Sequence, residues 1–316
     1  MQKVSFSEQV KSQILKNSFE QTCCKISALS AFVRGAGTLC VEGGLLGFEV
    51  VTENKLACSY FNSIILSVYG ENAKISTIND KLTKRQKYIL RLISNNSFNV
   101  LADLGIVESG LNGTTVNLSI DKYLIENQCC KKAYVIGAFI GSGSVTVPTN
   151  ESKIKTRYHL EFVFSNYQTA QDFSVLMSSL DFMPRQIQRK ESHVVYFKNR
   201  QEVCDLLFFM GAKKSYFDVS NLMIEKDIRN ETNRRINCEM ANMEKQINAS
   251  LNSIASINLI EESVGLDVLP LPLKTVAIMR KEHQDATLSE LATILNISKS
   301  CLNHRLRKIA EIAKNL

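Results

Sequence analysis

The spacing of apolar and polar positions changes repeatedly along the chain, and the changes mark out its elements. Ser5 and Glu8 are spaced as a capping box, which predicts a first helix running to about Asn17. Apolar residues at helical spacing over residues 23–36 predict a second helix. Behind it the period falls to two: Thr38–Val41 and Leu46–Thr52 read as strands joined in a hairpin across Gly43-Gly44. Helical spacing returns over Lys55–Tyr69, followed by a strand over Lys74–Ile78. The stretch 82–118 reads as a basic helix carrying Lys84, Arg85, Lys87 and Arg91, then a short helix around Leu101-Ala102-Asp103-Leu104. The order then starts again. A helix over 131–142 leads to strands near 143–147 and 158–164 and a helix over 167–180. Strands over 185–190 and 193–198 and a helix over 201–210 complete the second round.

The two rounds share local sequence. Leu-Ser-Ala-Phe-Val-Arg-Gly-Ala-Gly-Thr at 29–38 is matched by Ile-Gly-Ala-Phe-Ile-Gly-Ser-Gly-Ser-Val at 136–145, and Cys23-Cys24-Lys25 by Cys129-Cys130-Lys131. Both copies resemble the LAGLIDADG motif of homing endonucleases. That resemblance implies two helices packed side by side, each delivering a metal-binding acid from its C-terminal end. Aligned on Ala-Phe-Val and Ala-Phe-Ile, the acid positions fall at Ala36 and Gly143, neither of which can hold Mg²⁺. No Asp or Glu occurs in residues 29–41 or 133–150, and Arg34 would carry positive charge to the place of the metal. No catalytic residue is therefore assigned, and hydrolysis reads as lost. Gly35, Gly37, Gly141 and Gly143 have a role independent of catalysis, since residues without side chains let two helix backbones approach closely. The implied architecture is α+β: two LAGLIDADG-like αββαββα half-domains forming an internal pseudo-dimer, followed by an all-α domain.

Residues 225–247 predict a long helix with an unusual stripe. Asn230, Asn233 and Asn237 recur at helical spacing, flanked by Arg229, Arg234 and Arg235. Asn is a weak interior helix residue, so propensity does not explain three of them on one face. The stripe is either the solvated face of a linking helix or an amide face for phosphates or for a neighbouring domain. Gly265, Pro270 and Pro272 then mark Val264–Lys274 as the expected hinge.

The C-terminal segment has the form of a helix-turn-helix. Thr287 and Glu290 form a second capping box ahead of a helix over Leu288–Leu295, Asn296 suits a left-handed turn, and Ser298 caps a helix running to about Lys314. Leu302, Leu306, Ile309 and Ala313 fall on one stripe of that last helix. Ser300, His304 and Arg307 fall opposite, with Asn303 and Lys308 beside them, Lys299 near the start and Arg305 between. Arg and Lys can pair with guanine edges or phosphates, and Asn with adenine, so this mixture suits a recognition helix in the major groove of double-stranded DNA; a solvated surface helix can carry the same residues.

Composition narrows the class. The 316 residues are 45% apolar and 22% charged, which is ordinary for a folded soluble domain pair. No apolar run reaches the 18 residues of a membrane span, and the charged N-terminal segment argues against a secretory leader. The formal net charge of +7 permits a polyanionic partner, and residues 298–316 hold five basic residues against one acid. Nine cysteines without a CxxC pair, and only four histidines, indicate reduced thiols; adjacent Cys-Cys pairs are poorly spaced for zinc, so neither metal nor cofactor is expected.

The whole chain is similar to the WhiA family of bacterial regulators. The residues that carry the resemblance are Cys23-Cys24-Lys25, Ala31–Gly37 and Cys129–Pro148. They continue through Arg229-Asn230, Asn233-Arg234, Asn237-Cys238-Glu239 and Ala241-Asn242, and through Ser298-Lys299-Ser300 to Asn303–Lys308. The resemblance implies a degenerate LAGLIDADG domain joined to a helix-turn-helix. It also implies a DNA-binding protein tied to cell division and chromosome segregation and, in spore-forming relatives, to sporulation. The domains expected are 1–120 and 121–220 for the two half-domains, 221–265 for a linking helical segment and 266–316 for the helix-turn-helix. The expected protein is a cytoplasmic, nucleoid-associated monomer with internal pseudo-two-fold symmetry, without enzymatic activity, and with transcription or division proteins as further partners. A residual metal-dependent endonuclease, or a scaffold with incidental DNA affinity, are the competing readings.

Overall fold

A computed structural model describes residues 5–79, 86–110, 113–148 and 157–316. The chain divides into two compact units, residues 1–223 and 224–316. The first unit opens with α1 (Phe6–Ile14), whose Ser5 cap accepts from the Glu8 amide. One half-domain follows: α2 (Thr22–Ala36), β1 (Gly37–Glu42), β2 (Leu45–Thr52), α3 (Lys55–Tyr69), β3 (Lys74–Asn79), β4 (Gln86–Leu92) and α4 (Ser97–Asp103). A hairpin of β5 (Val107–Gly110) and β6 (Gly113–Val116) leads into the other half. That half repeats the order: α5 (Gln128–Ser142), β7 (Gly143–Thr146), β8 (His159–Phe164), α6 (Tyr167–Ser178), β9 (Arg185–Arg189), β10 (Ser192–Phe197) and α7 (Arg200–Phe209). The two antiparallel sheets have equivalent strand orders, β1-β2-β4-β3 and β7-β8-β10-β9. Each half is thus the αββαββα unit that the period changes imply.

The motif helices α2 and α5 pack against each other at the centre of this unit. Ala28, Leu29, Ala31 and Phe32 of α2, and Ala133, Tyr134, Val135, Ala138 and Phe139 of α5, are fully or almost fully buried. Gly137, which the sequence pattern did not single out, permits the closest approach: a Cβ there would sit 2.1 Å from the Ala28 carbonyl oxygen on the facing helix. Gly141 faces Phe32 and Gly35 faces Ser142 at 3.0 Å by the same measure. Gly37 and Gly143 play a different part from the one expected. Each opens a strand, and a Cβ on either would run into its own helix, at Val33 or Phe139. They make the sharp helix-to-strand corner, not the helix crossing.

Three other expectations change. The basic helix proposed within 82–118 is strand β4 over Gln86–Leu92, with Lys84 and Arg85 outside the described residues. Leu90 and Leu92 alternate into the core while Arg91, on the other face, pairs with Glu42 at 3.0 Å and lies 3.8 Å from Glu49. Pairing on both sides, to β2 and β3, overrides the local helical spacing of the basic residues. The β5–β6 hairpin was not anticipated at all. Arg34 does not project into a metal position: its guanidinium donates to the carbonyls of Asn117, at 2.8 Å, and Gly105, tying that hairpin segment to α2.

The helix predicted over 225–247 belongs to α8 (Lys213–Val264), which is 52 residues long. In the second unit its last turns pack with α9 (Leu271–Glu282), α10 (Leu288–Ile294) and α11 (Lys299–Lys314) around Ile257, Ile260, Val276, Leu291, Leu302 and Ile309. The segment expected to be a hinge is instead a turn inside this core. Gly265 takes φ +79°, Leu269 and Leu273 are buried on either side of Pro270, and Pro272 lies in the first turn of α9. Helix α9 itself was missed in the sequence. Among the described residues no helix is long and apolar enough to cross a membrane.

Candidate nucleic-acid interface

Helices α10 and α11 owe their ends to short-range chemistry. The Thr287 hydroxyl accepts from the Glu290 amide at 3.3 Å, and the Glu290 carboxylate accepts from the Thr287 amide at 2.8 Å. The Thr287 amide, and after it the Thr287 hydroxyl beside the carboxylate, hold the Glu290 carboxyl below its ordinary range. Asn296 adopts φ +49°, one of three non-glycine residues with positive φ among the described residues, and so turns the chain between the helices. Ser298 caps α11 by accepting from the Cys301 amide at 3.2 Å.

The core then orients α11. Leu302, Leu306, Ile309 and Ala313 are buried, as their spacing predicts. Lys299, Ser300, Asn303, His304, Arg307 and Lys308 are exposed, and Arg305 is half-buried at the edge. One helix therefore presents four donor-rich types, Lys, Arg, Asn and His, over nearly three turns to solvent. Behind it, Arg280 of α9 is buried and donates to the carbonyls of Ala286 and Gln284 and to the Ser250 hydroxyl. Burial lowers the Arg280 pKa, with Asp285 opposing the shift. This buried fork fixes the loop that leads into α10.

The five residues of the α8 stripe, Arg229, Asn230, Asn233, Arg234 and Asn237, are all exposed. They form a solvent-facing amide and guanidinium surface on a helix whose middle is exposed on every side.

In the first unit the motif helices end at Ala36 and Ser142, each followed by a glycine in extended conformation. The position equivalent to Ala36 is therefore Ser142, one residue before the Gly143 given by aligning the Ala-Phe pairs. Aligning on the cysteine pairs and the strand-opening glycines leads to the same residue. Neither position carries a carboxylate. The nearest equivalents on the sheets are Glu49 and Glu161, which stand opposite Thr38 and Ser144 in the strand register. Both are engaged: Glu49 lies near the Arg91 guanidinium, and Glu161 lies 3.4 Å from that of Arg189 and 3.0 Å from the His159 ring.

The same sheet face as Glu161 carries Arg185, Arg189 and Tyr196, and the face with Glu49 carries Lys74 and Arg91. Of these, Lys74, Arg185 and Arg189 are basic positions that the sequence pattern did not bring out; the signal for the last two is Arg-x-x-x-Arg within one strand, where every second residue shares a face.

The adjacent cysteine pairs, which look poor as metal ligands within the chain, are brought together across the α2–α5 pair. The Sγ atoms of Cys23, Cys24, Cys129 and Cys130 all lie within 4.8 Å of one another.

Three successive segments match domain families. Residues 22–107 match the WhiA N-terminal LAGLIDADG-like domain, residues 131–229 the WhiA LAGLIDADG-like domain, and residues 232–313 the WhiA C-terminal HTH domain. A protein of Alkaliphilus metalliredigens named probable cell division protein WhiA is 38% identical over 98% of this chain and 98% of its own length. A Clostridium botulinum protein of the same name is 35% identical over 99% of both. The crystal structure of full-length WhiA from Thermotoga maritima superposes with a TM-score of 0.60 at 21% identity, covering 99% of each chain. The isolated N-terminal LAGLIDADG domain of a WhiA protein superposes at 0.50 with 16% identity, over 66% of this chain and 91% of that one. The chain belongs to the WhiA family.

Proposed function

We propose that this WhiA-family chain is a non-enzymatic, sequence-specific DNA-binding regulator of cell division and chromosome segregation. Its α11 enters the major groove of double-stranded DNA. The observation that carries this reading is the division of α11 into a buried apolar stripe and an exposed face of Lys299, Ser300, Asn303, His304, Arg307 and Lys308. A solvated helix needs no particular donors, whereas base edges and phosphates need this set. Arg307, His304 and Asn303 read bases, Lys299 and Lys308 contact phosphates, and Arg305 supports the rim. The names of the curated relatives support the link to division.

The LAGLIDADG-like unit serves as scaffold. The absence of a carboxylate at Ala36 and Ser142, and the pairing of Glu49 and Glu161 with cations, support a non-enzymatic role. Its basic sheet positions, and Arg229, Asn230, Asn233, Arg234 and Asn237 on α8, add phosphate contacts. The protein acts as a monomer at the nucleoid, the two halves supplying the pseudo-symmetry that other proteins obtain by dimerising.

The test is duplex binding by fluorescence anisotropy over a salt series, using genomic fragments and the variants H304A and R307A. Each base-reading residue is expected to contribute about 1–3 kcal/mol and to relax sequence preference, while a phosphate contact such as Lys308 lowers the salt slope by about one. Unchanged affinity and preference in both variants would remove α11 from the interface.

A further inference from the structure

Both motif helices begin with the same two residues in the same places. Cys23 and Cys24 are the second and third residues of α2, and Cys129 and Cys130 the second and third of α5. Because the helices pair side by side about the pseudo-two-fold, their first turns meet. This end of the pair lies opposite the end where a nuclease would carry its acids.

The four sulfurs form a compact group. All lie within 4.8 Å of one another, and Cys129 Sγ is 4.0 Å from Cys130 Sγ. Four sulfurs held tetrahedrally around one ion at about 2.3 Å stand about 3.8 Å apart, so the group needs to contract by only about 1 Å. All four are free thiols; Cys24 and Cys130 are buried, while Cys23 and Cys129 are exposed and leave a path for an ion.

Neither α2 nor α5 has a side-chain cap, since Gln21 and Asn127 make no capping bond, so two helix N-termini direct uncapped amides toward the thiols. The Cys129 and Cys23 thiols donate to the Gln21 Oε1 atom at 3.2 and 3.6 Å, a bridge between the two helices that gives way when an ion displaces the protons. The geometry of the backbone is also fixed: Ser27 Oγ of α2 lies 2.8 Å from the Cys130 carbonyl and 2.7 Å from that of Leu124.

We propose that Cys23, Cys24, Cys129 and Cys130 form a tetrathiolate site for a single Zn²⁺ ion. The four protein ligands leave no open position, so the ion is structural, clamping one half-domain to the other where their motif helices begin. The site is independent of how the second unit meets DNA.

The experiment uses the full chain, purified reduced and freed of metal, titrated with Co²⁺ and then Zn²⁺. The expected result is a thiolate-to-cobalt charge-transfer band with tetrahedral d–d absorption that saturates at one ion per chain and is displaced by Zn²⁺. Zinc loading also protects these four thiols from alkylation, mapped by mass spectrometry, while exposed Cys238 still reacts. The band is lost in the C23S/C129S double variant and retained in C238S. If the double variant fails to fold, the alkylation map locates the ion. A titration with no saturable band, protection that falls on other cysteines, or cross-helix disulfides that form while metal is present would each overturn the site.

Discussion

Helices α5 and α11 show two uses of one element. Helix α5 is buried along nearly its whole length, and its small residues are explained by contact with α2: Gly137 has no room for a methyl group. Helix α11 buries only the stripe that its core needs, and its exposed residues have no packing role. In the first helix the motif positions are filled by residues that packing requires. In the second, the residues beyond packing are hydrogen-bond donors left to solvent. A motif that survives only as glycine and alanine is evidence about assembly; a polar face that packing leaves unexplained is evidence about function.

Leu302→Ala should have the largest effect, because it opens a cavity in the small core of the second unit. A loss of about 2–5 kcal/mol is expected. Thermal unfolding should show the second unit melting early and DNA affinity falling with it, while the first unit holds. Loss of DNA affinity without any change in melting would place Leu302 in the interface and break the contrast between the stripe and the face.

Gly137→Val should act in the other unit. The Cβ would meet the Ala28 carbonyl, and forcing the motif helices apart is expected to cost about 1–3 kcal/mol. The first unit should lose stability in denaturant while the second keeps its own transition. An unchanged first transition would mean that the helix pair tolerates a wider crossing.

The smallest effect is a pH dependence at the start of α10. Hydrogen bonds from Thr287 lower the Glu290 pKa below its ordinary 4.5. A carboxyl whose folded pKa is depressed contributes stability above its unfolded value, and the contribution fades as pH falls through the folded one. The wild-type second unit should therefore lose stability between about pH 4.5 and the lower folded value, and Glu290→Gln should flatten that limb without altering the alkaline side. An acid limb that is the same in both proteins would assign it to other carboxylates.

Much of this was legible in the chain itself. The capping boxes at Ser5 and Thr287, the left-handed Asn296, the Ser298 cap and the buried stripe of α11 follow from interactions within four residues, so sequence alone determined them. The repeat likewise disclosed two similar halves. Strand β4 was not legible, because its basic residues have helical spacing and only pairing with β2 and β3 makes the strand. Arg34 was misread for the same reason: its partners lie 71 and 83 residues away. The sequence offers two registers, Gly143 from the Ala-Phe pairs and Ser142 from the cysteine pairs, and the tertiary structure chose Ser142; it alone decided that the presumed hinge is a core turn and that two unpromising Cys-Cys pairs make one group of four sulfurs. Local order follows from capping and periodicity, which act between neighbours in the chain. Proximity across the pseudo-two-fold comes from packing, which the spacing of residues within one copy does not record.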